Sequence, residues 1–343
     1  MKKFTKGCLI TALVLFILGC LICMVCGFLG GFRQIDSGAL NGVAGIPFGF
    51  HRHENGGFDF GFLSDDWEED AFWESGDWNK ADTSGTKQKL DITKDTLCQL
   101  YLEVTDSRLI IEESADEYVW LSVSDDTNRT YYNIEDIAGK DSLSVRNVQR
   151  YRVGNWENGN KDTIRLYLPG GCNLDVVTVY MGAGHMNTVS LKAETMEINV
   201  GAGLCEAQAL EAETISLLVG AGAIEASGLK ADAAVMEIGV GQITIQDMNV
   251  RESADVTVGM GSAKLTGEIT RNLDAECNMG ELEINLAGQE DDYGFDIDCD
   301  MGDVNIGSHH YSGLGDSRSW NTDRQNQLSI DCDMGTVTVR FDK

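Results

Sequence analysis

Residues 179–198 read VYMGAGHMNTVSLKAETMEI, residues 198–217 read INVGAGLCEAQALEAETISL, and residues 217–236 read LLVGAGAIEASGLKADAAVM. Such self-similarity at a fixed period outranks any local assignment of structure. With the second glycine of each G-x-G, or the glycine that takes its place, as anchor, the repeat falls at Gly184, Gly203, Gly222, Gly241, Gly261, Gly280, Gly302 and Gly335. The spacings are 19, 19, 19, 20, 19, 22 and 33 residues, which makes eight coils.

Columns read across the coils are apolar at alternating positions. Five residues before the anchor stand Val179, Ile198, Leu217, Met236, Val256, Ala275, Ile297 and Ile330. Three before it stand Met181, Val200, Val219, Ile238, Val258, Cys277, Cys299 and Cys332. Positions two and four after it are again almost all apolar, from Met186 and Thr188 to Val337 and Val339. Alternation of this kind is strand periodicity. A period near 19 with inward columns has one economical solution, an all-β parallel β-solenoid whose like residues stack about 4.8 Å apart. Eight such coils give a core on the order of 35–40 Å long. A leucine-rich repeat has a similar period, but its L-x-x-L-x-L-x-x-N pattern is absent. Two residues before the anchor stand Gly182, Gly201, Gly220, Gly239, Gly259, Asn278, Asp300 and Asp333. These are the residue types that tolerate positive φ, so a bend of that kind is expected in each coil. The G-x-G is not a dinucleotide cradle, because the third glycine of G-x-G-x-x-G is missing at every anchor.

Residues 90–178 hold strand-like runs without the clean period, among them CQLYLEV, RLIIEE and EYVWLSVS. They are expected to be irregular first coils that cap the open end of the solenoid at 179–343, since an uncapped edge invites aggregation. At the other end Arg340, Asp342 and Lys343 put charge on the last strand.

Upstream, residues 7–32 run for 26 residues without a charge, preceded by Lys2, Lys3 and Lys6. The length spans a bilayer as a helix, and the positive-inside rule puts residues 1–6 in the cytoplasm and the C-terminal body outside the cell membrane. A cleaved signal peptide, and a lipoprotein site at Cys20 behind a poor lipobox, are the competing readings. Residues 33–89 alternate glycine, acids and aromatics without periodicity and read as a disordered linker. Phe58, Phe60, Phe62, Trp67, Trp73 and Trp78 suit a recognition segment as well as a spacer, and His51 with His53 is a weak metal signal.

The run DTIRLYLPGGCNLDVVTVYMGAG at 162–184, followed by Gly-marked coils, resembles the bacterial putative-adhesin family of β-strand-repeat proteins, which carry a domain of unknown function. The resemblance covers residues 90–343 and rests on the Leu-Pro before the coils. It implies a cell-envelope location, an N-terminal membrane anchor and a binding or stress-sensing role, and it supplies no catalytic residues.

Composition narrows the function further. A formal net charge of −29 excludes a nucleic-acid partner, whose phosphates need Lys and Arg. The six body cysteines, Cys98, Cys172, Cys205, Cys277, Cys299 and Cys332, form no C-x-x-C pair, which leaves zinc and thioredoxin-like readings without support. The cysteines at 277, 299 and 332 fall in an inward column and read as buried apolar thiols. Asp298 stacks with Asp331 and Asp300 with Asp333; two outward carboxylates about 5 Å apart repel by roughly 1 kcal/mol in water. A Ca²⁺ ion held by Asp298, Asp300, Asp331 and Asp333 would relieve this, the alternative being bend residues and solvated acids. The insertion GSHHYSGLGDSRSWNTDRQNQ supplies a candidate recognition loop with His309, His310, Tyr311 and Trp320, and it reads equally as a plain surface excursion. A β-helix polysaccharide-active enzyme would need basic and acidic groups clustered in one groove, and Lys192, Lys230, Lys264, Arg251, Arg271 and His185 are spread over four columns. The sequence therefore predicts a non-catalytic, single-pass envelope protein that displays a β-solenoid for adhesion to a polysaccharide or protein of the envelope. A regulatory module sensing envelope state beside a membrane partner is the alternative.

Overall fold

The computed structural model describes residues 49–52, 58–61, 78–125, 129–147, 162–312 and 315–342. The expected cytoplasmic tail and membrane helix lie outside the described residues, as does most of the linker. Among the described residues no helix is long and apolar enough to cross a membrane.

Each repeat folds as the columns require. From Thr214–Val219 the chain bends through Gly220-Ala221-Gly222, runs out along Ala223–Ala226, and re-enters through Leu229–Ile238. From Gly184 to Gly280 each strand pairs in parallel with its counterpart one period on: Val200 with Val219, Val219 with Ile238, Ile238 with Val258, and Val258 with Cys277. The inward side chains are sealed from water, with Val219 and Val258 at 0% exposure. No single coil could bury its apolar face alone, so stability comes from stacking.

The bend expected two residues before each anchor forms, but without positive φ, and the anchor glycines are needed for a separate reason. None of the residues two before the anchor has a positive φ, and neither has any anchor. What excludes a side chain is close approach. A Cβ on Gly222 would strike the carbonyl oxygen of Gly203, one on Gly241 that of Gly222, and one on Gly261 that of Gly241. The turns stack backbone on backbone, and only glycine leaves room.

Both ends depart from sequential stacking. The last coil, Asn326–Cys332 with Thr336–Asp342, does not end the solenoid. It lies between Asn272–Cys277 with Glu281–Ala287 on one side and Tyr293–Cys299 with Asp303–Ile306 on the other. The cysteine file therefore runs Cys277, Cys332, Cys299, and Arg340, expected at a terminal edge, pairs with Glu283 of the neighbouring coil. The chain leaves a vacancy one coil wide, builds the outer coil, turns back through His309–Ser312 and Asp316–Trp320, and fills the vacancy last.

The N-terminal end is built the same way. Leu97–Val104 and Arg108–Ser114 pair in parallel with the coil at Gly184. Lys140–Asn147 and Thr163–Pro169 form the next coil outward, also parallel. The expected cap at 90–178 thus contains two true coils, and with the eight marked ones the described residues form a stack of ten. The cap proper is antiparallel: Tyr118–Ser124 and Thr130–Ile137 close the outer coil, and Ser84–Thr93 and Asn79–Lys80 pair with them. Part of the expected linker is consequently strand, including the separate hairpin of Gly49–Arg52 with Phe58–Gly61. Ser107 takes the anchor position of the inner cap coil. It donates to Asn147, Asn147 to Thr130, and Thr130 to Asp125, at 2.9, 2.9 and 3.2 Å. All four residues are buried, so this chain of hydrogen bonds satisfies polar groups that water cannot reach.

Candidate binding surface at the C-terminal end

The antiparallel return that covers the outer coil carries the aromatic residues. His309–Ser312 pairs with Asp303–Ile306, and Asp316–Trp320 pairs with Tyr293–Cys299. Strand alternation puts His309 and Tyr311 on one face and His310 on the other. Trp320 stacks on the fully buried Phe295 with centroids 4.5 Å apart. Tyr311 and His309 lie 5.7 and 5.6 Å from the Trp320 ring. The rings form a half-exposed cluster whose inner side is fixed by the core. His309 Nε2 lies 3.2 Å from Glu290 Oε1. His310 instead meets Asn305 Oδ1 at 2.7 Å and Asp303 Oδ1 at 3.2 Å. The structure therefore gathers three of the four expected recognition residues, His309, Tyr311 and Trp320, and separates His310 from them.

The carboxylates flank this end. Asp298 pairs with Asp331 as expected. The backbone N–H groups of Asp333 and Asp300 donate to the carbonyls of Cys277 and Cys332, at 3.1 and 3.0 Å, which stacks Asn278, Asp333 and Asp300 on successive coils. Ser317 Oγ donates to Asp298 at 3.1 Å and Ser319 Oγ to Asp296 at 2.7 Å. Among the described residues, no three His, Cys, Asp or Glu side chains converge as the ligands of a metal ion would. The Ca²⁺ expectation for Asp298, Asp300, Asp331 and Asp333 thus finds a ladder, not a cage, because in-register strands aim their side chains side by side.

Desolvation, followed by the charges of Asp333, Asp298, Glu276 and Asp300, pushes the Asp331 carboxyl above its ordinary range. The ionised form is therefore disfavoured in the folded state, and stability is lost as pH rises through the folded pKa. Asp331→Asn is expected to raise the melting temperature at pH 7. The gain should shrink to nothing once the pH falls below the ordinary carboxylate range, as read by thermal unfolding across pH 3–8. A melting temperature that fell at pH 7 would contradict the repulsion.

The thiols of the inward file are buried and unbridged. Cys332, between its two neighbours, is hydrogen-bonded to Cys277, and that bond together with burial pushes its thiol up. Burial likewise pushes Cys205 up to about 12. Cys205 and Cys332 so held stay protonated and are poor nucleophiles, while the hydrogen bond from Cys332 lowers the Cys277 thiol.

One surface feature escaped the reading of inward columns. The residue immediately before each anchor is Ala183, Ala202 and Ala221 in the first coils, then Val240, Met260, Met279, Met301 and Met334. The four methionines are exposed at 54%, 52%, 59% and 52%. The column is visible in the sequence, but apolar character alone does not tell an outward file from an inward one.

These features define a class: a capped β-solenoid whose variable side chains sit on turn edges and end caps of a rigid stack. The chain belongs to the Toastrack DUF4097 family, which it matches over residues 98–340. Among solved structures it is similar to a "putative adhesin" of Parabacteroides distasonis, at 18% identity over 75% of this chain and 98% of that one, with a TM-score of 0.41. A "putative adhesin" of Parabacteroides merdae gives 17% identity, coverage of 75% and 97%, and a TM-score of 0.40. A "putative lipid binding protein" of Parabacteroides distasonis gives 14%, 76% and 99%, and 0.37. No curated protein matches the chain.

Proposed function

We propose that the protein is a non-catalytic binding protein of the bacterial cell envelope, anchored through residues 7–32, and that it grips an envelope polysaccharide with its C-terminal end. The observation that carries this reading is the cluster of His309, Tyr311 and Trp320, held half-exposed on the buried ring of Phe295. Aromatic side chains offer a large apolar face with a polar rim, and rigid support keeps the entropic cost of contact low. Glu290 beside the cluster supplies an acceptor for hydroxyl groups.

The test is co-sedimentation of the full-length chain with purified cell-wall polysaccharide, comparing wild type with His309→Ala/Tyr311→Ala. Tyr311 also packs against the core, so the double variant should lower the melting temperature somewhat while remaining folded by circular dichroism, and should lose affinity at least tenfold. Equal binding by the double variant, or no binding by the wild type, would refute the reading.

A further inference from the structure

The coils at Gly280, Gly335 and Gly302 differ from the first four coils in three columns at once. Each reads Cys-Asn/Asp-Met-Gly: Cys277-Asn278-Met279-Gly280, Cys332-Asp333-Met334-Gly335 and Cys299-Asp300-Met301-Gly302. The folded order makes these three consecutive, with Met260 on the coil before them. The backbone fixes the register at the methionines themselves. Met260 N–H donates to Gly239, Met279 to Gly259, Met334 to Asn278 and Met301 to Asp333, at 2.7, 2.8, 2.7 and 2.7 Å. Four thioethers therefore stand on four successive rungs, all more than half exposed.

We propose that this edge, Met260–Met279–Met334–Met301, binds a soft monovalent metal ion, Cu(I) or its analogue Ag(I), through the thioether sulfurs. Thioethers are soft donors that select Cu(I) and have little attraction for Ca²⁺ or Mg²⁺. Spacing agrees with the chemistry. Rungs lie about 4.8 Å apart. A metal–sulfur bond of about 2.3 Å, the length found for thiolates on zinc, lets two sulfurs flank one ion at up to about 4.6 Å. Methionine is unbranched, with three rotatable bonds, so neighbouring sulfurs can close the small difference. The second changed column adds electrostatics: Asp333 and Asp300 stand where the earlier coils have glycine, with Glu276, Asp331 and Asp298 close by. A cation at the methionine edge is attracted by this field. The thiols two residues before Met279, Met334 and Met301 face the interior at 0% exposure, on the far side of the backbone from the thioethers. They are therefore not among the proposed ligands.

The test is a titration of the full-length chain with Ag(I) in chloride-free buffer, followed by the methyl signals of ¹³C-methyl methionine. Cys8, Cys20, Cys23 and Cys26 are replaced by serine so that these thiols do not take up the ion. Of the 11 methionines, the signals assigned to Met279, Met334, Met301 and Met260 should move, and no others. Assignment comes from four single Met→Leu variants, each of which removes one signal. Met279→Leu/Met334→Leu should weaken the binding seen at the remaining two at least tenfold, with the melting temperature unchanged. Zn(II) should move none of them. A triple Cys277→Val/Cys332→Val/Cys299→Val variant, which takes its valines from this column in other coils, should bind Ag(I) as the parent does. The proposal is overturned if Ag(I) moves none of the four signals, or if the Met279→Leu/Met334→Leu variant binds as tightly as the parent. It is overturned equally if binding is lost in the cysteine variant while that variant remains folded.

Discussion

Removing residues 326–343 is expected to collapse the whole C-terminal end of the solenoid, not to shorten it by one coil. The deleted segment carries Leu328, Ile330, Cys332, Val337 and Val339, all at 2% exposure or less. Burial of an aliphatic side chain contributes roughly 1.5–3 kcal/mol, so the five together are on the order of 10 kcal/mol. That is comparable with the entire stability of an ordinary domain, about 5–15 kcal/mol. The loss is compounded because, among the described residues, the coil Tyr293–Ile306 has only Asn326–Cys332 and Thr336–Asp342 as parallel neighbours and otherwise pairs with the antiparallel cap strands. Without them the aromatic cap detaches and two apolar surfaces open to water. Limited proteolysis should cut the truncated chain after Ala287, and size-exclusion chromatography should show association. The contrasting deletion is residues 223–241, one interior period from Gly222 to Gly241, which lets Gln242 follow Gly222 in register. That variant should remain folded and monodisperse. Equal tolerance of both deletions would contradict the intercalated order.

Gly241→Ala is expected to cost about 3 kcal/mol, at the upper end for overpacking, because the clash is with main chain that cannot step aside. The added methyl would meet the Gly222 carbonyl oxygen, the Gly222 nitrogen at 3.0 Å and the Val219 methyl at 2.5 Å. The backbone there has no positive φ, so asparagine, which tolerates left-handed conformations, should be no better than alanine. Gly228→Ala supplies the control. Its nearest neighbour would be the Gln208 carbonyl at 3.4 Å, an ordinary contact. That substitution should stabilise by about 0.4–1 kcal/mol through the unfolded chain. Urea unfolding midpoints at constant slope decide both, and a neutral Gly241→Ala would show that close stacking is not what reserves the column for glycine.

The interior coils were legible because two independent regularities agree there. Val200, Val219, Ile238 and Val258 recur every 19 or 20 residues, and all but Val219, which follows Leu218, sit between polar or small neighbours, so period and alternation fix both the coil and its inward face. The ends were not legible for a related reason. Cys277, Cys299 and Cys332 are interchangeable as members of an inward file, so side-chain character does not reveal their order. Only the 33-residue interval hinted at a detour, and an insertion explains that interval equally well. The column two before the anchor bends as expected but without positive φ, and the anchor column's need for a missing side chain is a separate feature that its recurrence alone does not explain. At the candidate site, the aromatic character of His309, Tyr311 and Trp320 was visible from composition. The division between His309 and His310 required knowing that this segment is a strand, and its lack of alternating hydrophobicity concealed that.

The interlocked ends also restrict how this architecture can change size. A simple stack can gain or lose units at either terminus, but here each terminus is a clasp: a unit appended after Thr336–Asp342 would emerge between two occupied layers with nowhere to dock. Growth by tandem duplication is open only to the uniform middle, from Gly184 to Gly280, where successive units are also successive layers. Relatives of different length should accordingly differ in the number of central units while keeping both clasps intact.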